Sequence, residues 1–331
     1  MTDLRKLAYT EVPAVGLGCM NLSHAYGVPP AAEDAKKVLK KALDLGITHF
    51  DSAALYGAGK NESLVGPFLK PVRKEIFLVS KCVLFLDEQG NRRLDGRPEA
   101  IRESVEASLK RLETEVIDLM YLHRLDPDVP IEDSVGTLSD LREEGKIRSI
   151  GLSEMSAETI HRAAAVDEIA AVQSEYSLWS RNVEIGVLEA CHEVGAAFVA
   201  FSPVARGFLA DLNLDPQGFA EKDIRRNMPR FQDPHFSENR VNLLPRYQEI
   251  AEEVCCTPAQ LAIAWLLHRG DNIHVIPGTT SAQHLEEDWH AGKVILADDQ
   301  IDDLDRLINQ YSVSGPRYAA AVQAQIDTEE F

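Results

Sequence analysis

Cysteine is scarce in this chain. Cys19, Cys82, Cys191, Cys255 and Cys256 are five among 331 residues, an odd number with no Cys-x-x-Cys spacing. Neither a disulfide framework nor a zinc site follows from that pattern, and a reducing, cytoplasmic setting fits it. The adjacent pair Cys255 and Cys256 has no basic neighbour in sequence to make a thiolate, so it reads as small apolar residues near a helix end rather than a redox switch. Positive charge is also short. Lysine and arginine number 34 against 53 aspartates and glutamates, a net charge of −19, which disfavours nucleic-acid phosphates and the anionic face of a membrane as partners. No apolar run reaches the roughly 18 residues of a membrane span. The opening Met1-Thr2-Asp3-Leu4-Arg5 starts no apolar stretch of signal-peptide length, so Asn21-Leu22-Ser23 is a chance match to a glycosylation site.

Several short catalytic signatures are missing too. Gly16-Leu17-Gly18-Cys19-Met20-Asn21 begins like a dinucleotide-binding glycine loop but lacks the third glycine, which makes a Rossmann reading poor. His123-Arg124-Leu125-Asp126 looks faintly like a kinase catalytic loop, without the glycine-rich loop or Asp-Phe-Gly that would go with it. There is no Gly-x-Ser-x-Gly for acyl transfer and no His-x-x-x-His pair for a metal, so no metal is expected.

What the chain does contain is alternation. Eight short apolar runs, at 15–18, 48–51, 76–81, 117–123, 148–152, 171–174, 197–202 and 273–277, are separated by segments of helical period. Ile101, Val105, Leu109 and Leu112 form one such stripe; Ile131, Val135, Leu138 and Leu141 form another. Eight strands with intervening helices, the last near 281–289, predict a closed (β/α)8 barrel of the TIM type rather than an open sheet. No linker divides the pattern, so residues 1–331 are expected to be one domain. Outside it, 4–12 is expected to be a hairpin under the barrel floor, 206–237 is a long irregular excursion, and the tail beyond Tyr311 reads as a lid or a loose end.

Three of the runs deliver polar groups at or just beyond their carboxyl ends, where a barrel builds its active site. The second gives Asp51 and, five residues on, Tyr56; the third gives Lys81; the fourth gives His123. A tyrosine of pKa about 10 is a poor proton donor at neutral pH, and lowering it by about two units needs roughly 2.7 kcal/mol. A lysine ammonium about 4 Å away supplies roughly 4 kcal/mol at an effective dielectric of about 20. Lys81 is therefore expected to lower Tyr56, Asp51 to keep Lys81 charged, and His123 to donate a hydrogen bond to a substrate oxygen. Singly, each residue has a plain structural reading: a turn cap, a packed ring, a solvated strand end, a satisfied core histidine. Jointly they make a device that polarises a carbonyl and protonates its oxygen as hydride reaches carbon.

The stretches 46–62 (GITHFDSAALYGAGKNE), 117–123 (IDLMYLH), 144–153 (EGKIRSIGLS), 173–176 (QSEY), 201–209 (FSPVARGFL) and 276–285 (IPGTTSAQHL) resemble the aldo-keto reductases across residues 4–318. That resemblance implies the same barrel, NADPH as cofactor with NADH possible, and an oxidoreductase reversibly reducing an aldehyde or ketone to an alcohol. It places the tetrad on Tyr56, Lys81, Asp51 and His123. It puts the nicotinamide carboxamide on Ser153 and Gln173, a ring stack on Phe201, and the pyrophosphate path on Ser202, Pro203, Arg206 and Gly207. The phosphate end then falls on Gly278, Thr279, Thr280, Ser281 and His284, where many relatives carry Lys or Arg, and the adenine on Glu287 and Asp288. Thr280 with Gln283 also fits a capping box. Glu154 stands where many members have Asn and receives no role.

Leu178 to Arg181 and Ser202 to Phe208 are most similar to the perakine-reductase-like and pyridoxal-reductase-like branch. Substrate choice is expected to lie in 21–30, 83–97, 124–129, the excursion and the tail, with Tyr26, Phe85, Phe208 and Trp179 as apolar walls. Two other readings stay open. One is a cofactor-binding redox sensor resembling potassium-channel β-subunits; the other is a barrel isomerase or lyase with Lys81 as Schiff-base nucleophile. The oligomeric state is not legible.

Overall fold

The computed structural model describes residues 3–23, 25–87 and 89–331. Met1 and Thr2 of the opening stretch, His24 of the loop 21–30 and Glu88 of the loop 83–97 lie outside the described residues.

Among the described residues twelve strands follow one another: β1 (Leu4–Leu7), β2 (Thr10–Pro13), β3 (Leu17–Gly18), β4 (His49–Asp51), β5 (Phe77–Cys82), β6 (Leu84–Leu86), β7 (Arg92–Leu94), β8 (Leu119–Leu122), β9 (Ile150–Ser153), β10 (Ile169–Glu175), β11 (Ala197–Phe201) and β12 (Ile273–Val275). Eight of them form one sheet in chain order, from β3 through β4, β5, β8, β9, β10 and β11 to β12, and every neighbouring pair is parallel. The sheet closes on itself. Gly16 N donates to Val275 O at 2.8 Å and Val275 N to Ala14 O at 2.9 Å, a parallel bridge that joins the first strand to the last. Each predicted run contributes one of the eight barrel strands, and the fold is the expected (β/α)8 barrel. The strands read as almost unbroken apolar runs because helices cover their outer face and side chains fill the inside.

The predicted helical stripes are the buried faces. Ile101, Val105, Leu109 and Leu112 face inward from Pro98–Leu112, whose proline occupies the first turn where its missing N–H does no harm. Ile131, Val135, Leu138 and Leu141 do the same from Ile131–Glu143. The helix Ala32–Leu45 has Glu33 and Asp34 in its first turn and stops at Gly46, whose φ of +89° suits only glycine without strain. Departures from eightfold regularity come late. Two helices, His235–Glu253 and Pro258–Leu267, separate β11 from β12, and Asp298–Leu307 follows the last barrel helix, Ala282–His290.

β1 and β2 pair as an antiparallel hairpin that plugs the floor, as expected. Leu7 and Val12 pack with Phe77, Val79, Leu119 and Tyr121 inside the barrel, while the Arg5 guanidinium donates to the carbonyls of Leu267, Gly270 and Ile273 at 3.0, 2.7 and 2.7 Å. The other end of the barrel is open. There β6 and β7 form a second hairpin, and the excursion 206–237 crosses the mouth in short 3-10 turns. No single helix among the described residues is long and apolar enough to cross a membrane.

Candidate active site

Parallel strands that all run the same way bring their carboxyl ends to one rim, so Asp51, Lys81 and His123 meet there although 72 positions separate the first from the last. Lys81 is fully buried. Its ammonium donates to Asp51 Oδ1, to the Ser52 carbonyl at 2.9 Å and to the Tyr56 hydroxyl at 3.2 Å. Gln173 Nε2 donates to the second Asp51 oxygen at 2.7 Å, so the carboxylate is held from two sides. The Tyr56 and His123 rings lie edge to face with centroids 5.9 Å apart. All four predicted tetrad residues are therefore together, and Tyr56 and His123 reach the cavity.

The electrostatics correct one expectation. Lys81 does pull the Tyr56 hydroxyl downward, but burial outweighs it and Asp51 offsets the ammonium, so the phenol sits above its usual pKa. Two groups that cancel leave little net field, which is why proximity alone overstated the effect. Tyr56 therefore keeps its proton at neutral pH. His123 is pushed well below the usual histidine range by burial, then by Arg124, Lys81 and Arg92, and its Nδ1 is a buried atom without a hydrogen-bond partner among the described residues. It is a neutral imidazole.

Tyr56 opens onto a cavity of about 910 Å³, near the top of the range usual for ligand sites. Its wall runs from Ser153, Gln173 and Phe201 through Ser202, Pro203, Arg206 and Gly207 to Gly278, Thr279, Thr280, His284, Glu287 and Asp288. These come from β9, β10, the ends of β11 and β12 and the last barrel helix, and together they make a channel suited to an extended dinucleotide. A side chain at Gly278 would place its Cβ 3.0 Å from both Gly18 O and Asn21 Oδ1, so any larger residue would crowd the approach of these segments. The excursion closes over the channel: Ile224 N donates to Ala25 O at 3.0 Å and Gly27 N to Asp223 Oδ2 at 3.1 Å.

The start of the last barrel helix differs from expectation. Ser281, not Thr280, caps the last barrel helix, its hydroxyl accepting from His284 N at 3.3 Å, and it does not line the cavity; Thr280 does. Arg206 stands on the wall but is already engaged, donating to Glu175 at 2.7 Å, to the Tyr318 hydroxyl at 2.7 Å and to the Tyr26 hydroxyl at 2.9 Å.

A profile of the Aldo/keto reductase family matches residues 14–309. The chain belongs to that family. It is 43% identical over 329 residues to the aldo-keto reductase yakc of Schizosaccharomyces pombe, a protein named for NADP(+), with 97% of this chain and 96% of that one covered. Over 309 residues it is 40% identical to a probable aldo-keto reductase 1 of Glycine max, covering 93% and 89%. Among solved structures, the glycerol dehydrogenase AKR11B4 from Gluconobacter oxydans superposes with a TM-score of 0.85 at 27% identity, covering 95% of this chain and 97% of that one. Family membership makes the chain an oxidoreductase that interconverts carbonyls and alcohols.

The reductase departs from its sequence reading at the mouth. Tyr26 lines the cavity, but Trp179 and Phe208 stack on each other at 4.1 Å in the core and Phe85 is exposed; none of these three is a wall. The tail is neither loose nor separate. Arg317 pairs with the fully buried Glu154 at 2.6 Å, Tyr318 donates to Glu175 at 2.6 Å, and Tyr318, Ala319 and Val322 line the cavity. Glu154, left without a role in the sequence, thus anchors the tail and also accepts from Glu175 N at 2.7 Å. Burial would raise the Glu175 carboxyl, but Arg206 and Arg317 hold it down at about 2. An acid in place of asparagine beside Ser153 was the one available signal, and its partner lay 163 residues away.

Proposed function

We propose that this chain is an NADP-dependent carbonyl reductase, built as a single barrel domain, in which Tyr56 gives its proton to the carbonyl oxygen. The observation that carries the reading is the contact between Lys81 and Tyr56 at the cavity floor, with the neutral His123 ring beside them. Reduced nicotinamide, when bound, supplies hydride to the carbonyl carbon. Every other part belongs to the protein. His123 orients the carbonyl by donating a hydrogen bond, Tyr56 releases its proton as negative charge builds on oxygen, and Lys81 steadies the phenolate so formed. In the oxidative direction the same tyrosine takes the proton from the alcohol.

Ser153 and Gln173 are assigned to the carboxamide, Gln173 keeping its carbonyl oxygen while its amide holds Asp51. Phe201 is assigned to the ring, and Ser202, Pro203 and Gly207 to the pyrophosphate. Gly278, Thr279, Thr280 and His284 lie where free N–H groups open the last barrel helix, a setting that favours phosphate. The name of the yeast relative supports NADP(H) as cofactor. We place the chain in the perakine-reductase-like and pyridoxal-reductase-like branch on its Leu178 to Arg181 and Ser202 to Phe208 runs, and in the cytoplasm on its five free thiols.

The test is titration with NADPH and NADH followed by nicotinamide absorbance against aldehydes, ketones, sugars and pyridoxal. Tighter binding of NADPH with turnover of a carbonyl is the expected result. Binding with no turnover on any carbonyl would contradict the reading.

A further inference from the structure

Among the described residues four arginines line the cavity, Arg92, Arg124, Arg206 and Arg225. Arg206 is paired with Glu175 and Arg225 with Asp223, both at 2.7 Å. Two are different. Arg124 follows His123 and spends its hydrogen bonds on neutral acceptors, the His123 carbonyl at 2.6 Å and the Ser153 hydroxyl at 3.3 Å. Arg92, an exposed residue on β7, makes no side-chain hydrogen bond or ion pair among the described residues. Both line the cavity at its Tyr56 and His123 end.

The placement is unusual for a chain of net charge −19. The acids of the cavity wall are elsewhere or occupied: Asp51 is held by Lys81, Asp211 is on the excursion, and Glu287 and Asp288 are on the last barrel helix. Two uncompensated guanidiniums facing one volume repel each other, and an anion between them removes that repulsion. Both reach the reacting end: burial first, and then Arg124, Lys81 and Arg92, depress the His123 imidazole, and burial followed by Arg124 lowers Arg92. A guanidinium offers a planar fork of donors matched to carboxylate and phosphate oxygens.

We propose that the carbonyl substrate carries an anionic group, a carboxylate or a phosphate, that Arg92 and Arg124 hold while its carbonyl meets Tyr56 and His123. The inference rests on the catalytic reading above and adds the substrate class. It makes Arg92 a specificity residue, since Arg124 is also tied to Ser153.

The test compares kcat/KM for matched pairs, 4-carboxybenzaldehyde against 4-formylbenzamide and glyceraldehyde 3-phosphate against glyceraldehyde, with NADPH saturating. In the wild type the anionic member of at least one pair is favoured by about tenfold or more, as expected for a charge-assisted contact. Which pair shows it tells carboxylate from phosphate. The preference falls to near unity in Arg92→Met and reverses in Arg92→Glu. A wild-type ratio near unity for both pairs, or a ratio unchanged in Arg92→Met, overturns the proposal. A second readout does not need turnover: calorimetry of the NADP-bound protein with terephthalate and terephthalamide, and with inorganic phosphate. Loss of all aldehyde turnover would contradict the catalytic assignment alone, and anion binding abolished by Arg92→Met would still support the anion site. Failure to bind either terephthalate or phosphate in preference to terephthalamide would sink it.

Discussion

The Lys81 ammonium lies 3.2 Å from the Tyr56 hydroxyl and divides its remaining donors between Asp51 and the Ser52 carbonyl. Because the ammonium is neutralised on one side, burial prevails and the phenol stays protonated through neutral pH. Carbonyl reduction should then be level across neutral pH and decline only on the alkaline side, while alcohol oxidation rises as pH rises. Lys81→Met removes the largest influence holding the phenol down. Its pH–rate profile for oxidation should shift to higher pH, with kcat lower by roughly 10². A profile that keeps its wild-type alkaline limb would show that Lys81 does not tune Tyr56.

The Glu154–Arg317 pair is almost wholly buried, so removing one partner leaves the other charged and unpaired. Such a break typically costs about 3 to 5 kcal/mol. In Arg317→Met the loss should fall first on the tail, whose further anchors are Asp327 on Ser156 and Glu329 on Ala157 N. Hydrogen exchange should quicken across residues 311–331 before the barrel loosens. Uniform quickening of the barrel strands instead would mean that the pair serves the core and not the tail.

Inside the barrel, His49 is fully buried with both ring nitrogens unpartnered among the described residues, and its edge faces His274 at 6.4 Å. Burial first, and each histidine's cationic surroundings after it, lower His49 to about 3 and His274 to about 4. The unfolded chain takes up these protons near pH 6.5 and the folded one does not. Stability is therefore fully present above about pH 6.5 and is lost as pH falls toward the folded values. Between pH 6.5 and 5 each histidine should withdraw at most about 2 kcal/mol. Urea unfolding of His49→Phe should show a shallower loss over that window than the wild type.

Asp288 lines the nucleotide end of the cavity, and burial together with Glu287 raises its carboxyl to about 7. A carboxylate there repels phosphates, and its protonated form does not. NADPH should bind more tightly as pH falls from 8 to 6.5, by no more than about tenfold per pH unit for a single group. Asp288→Asn should bind with the low-pH affinity at every pH in that range. An unchanged pH dependence in the variant would place the titrating group elsewhere.

The barrel was legible because parallel strands buried on both sides write themselves as short apolar runs, and all eight were recovered. The meeting of Asp51, Tyr56, Lys81 and His123 was legible as well, since strand ends and the loops just after them converge by topology. Side-chain pairings across long sequence distances left no such trace. Nothing local joins Glu154 to Arg317 or Arg206 to Glu175, and an arginine read singly gives no sign of whether a carboxylate waits for it. The apolar walls failed for a related reason: Trp179 and Phe208 are close in the fold because they stack, and a ring that packs in the core looks the same in sequence as one that lines a cavity. The direction of the Tyr56 shift needed the balance of burial against a neutralised lysine, which only geometry supplies.

The central claim is that Tyr56 is the proton donor, and Tyr56→Phe tests it most directly. The variant should bind NADPH as the wild type does, by fluorescence titration, and lose roughly 10² or more in kcat for carbonyl reduction. Intact turnover in a variant that still binds nucleotide would contradict the account.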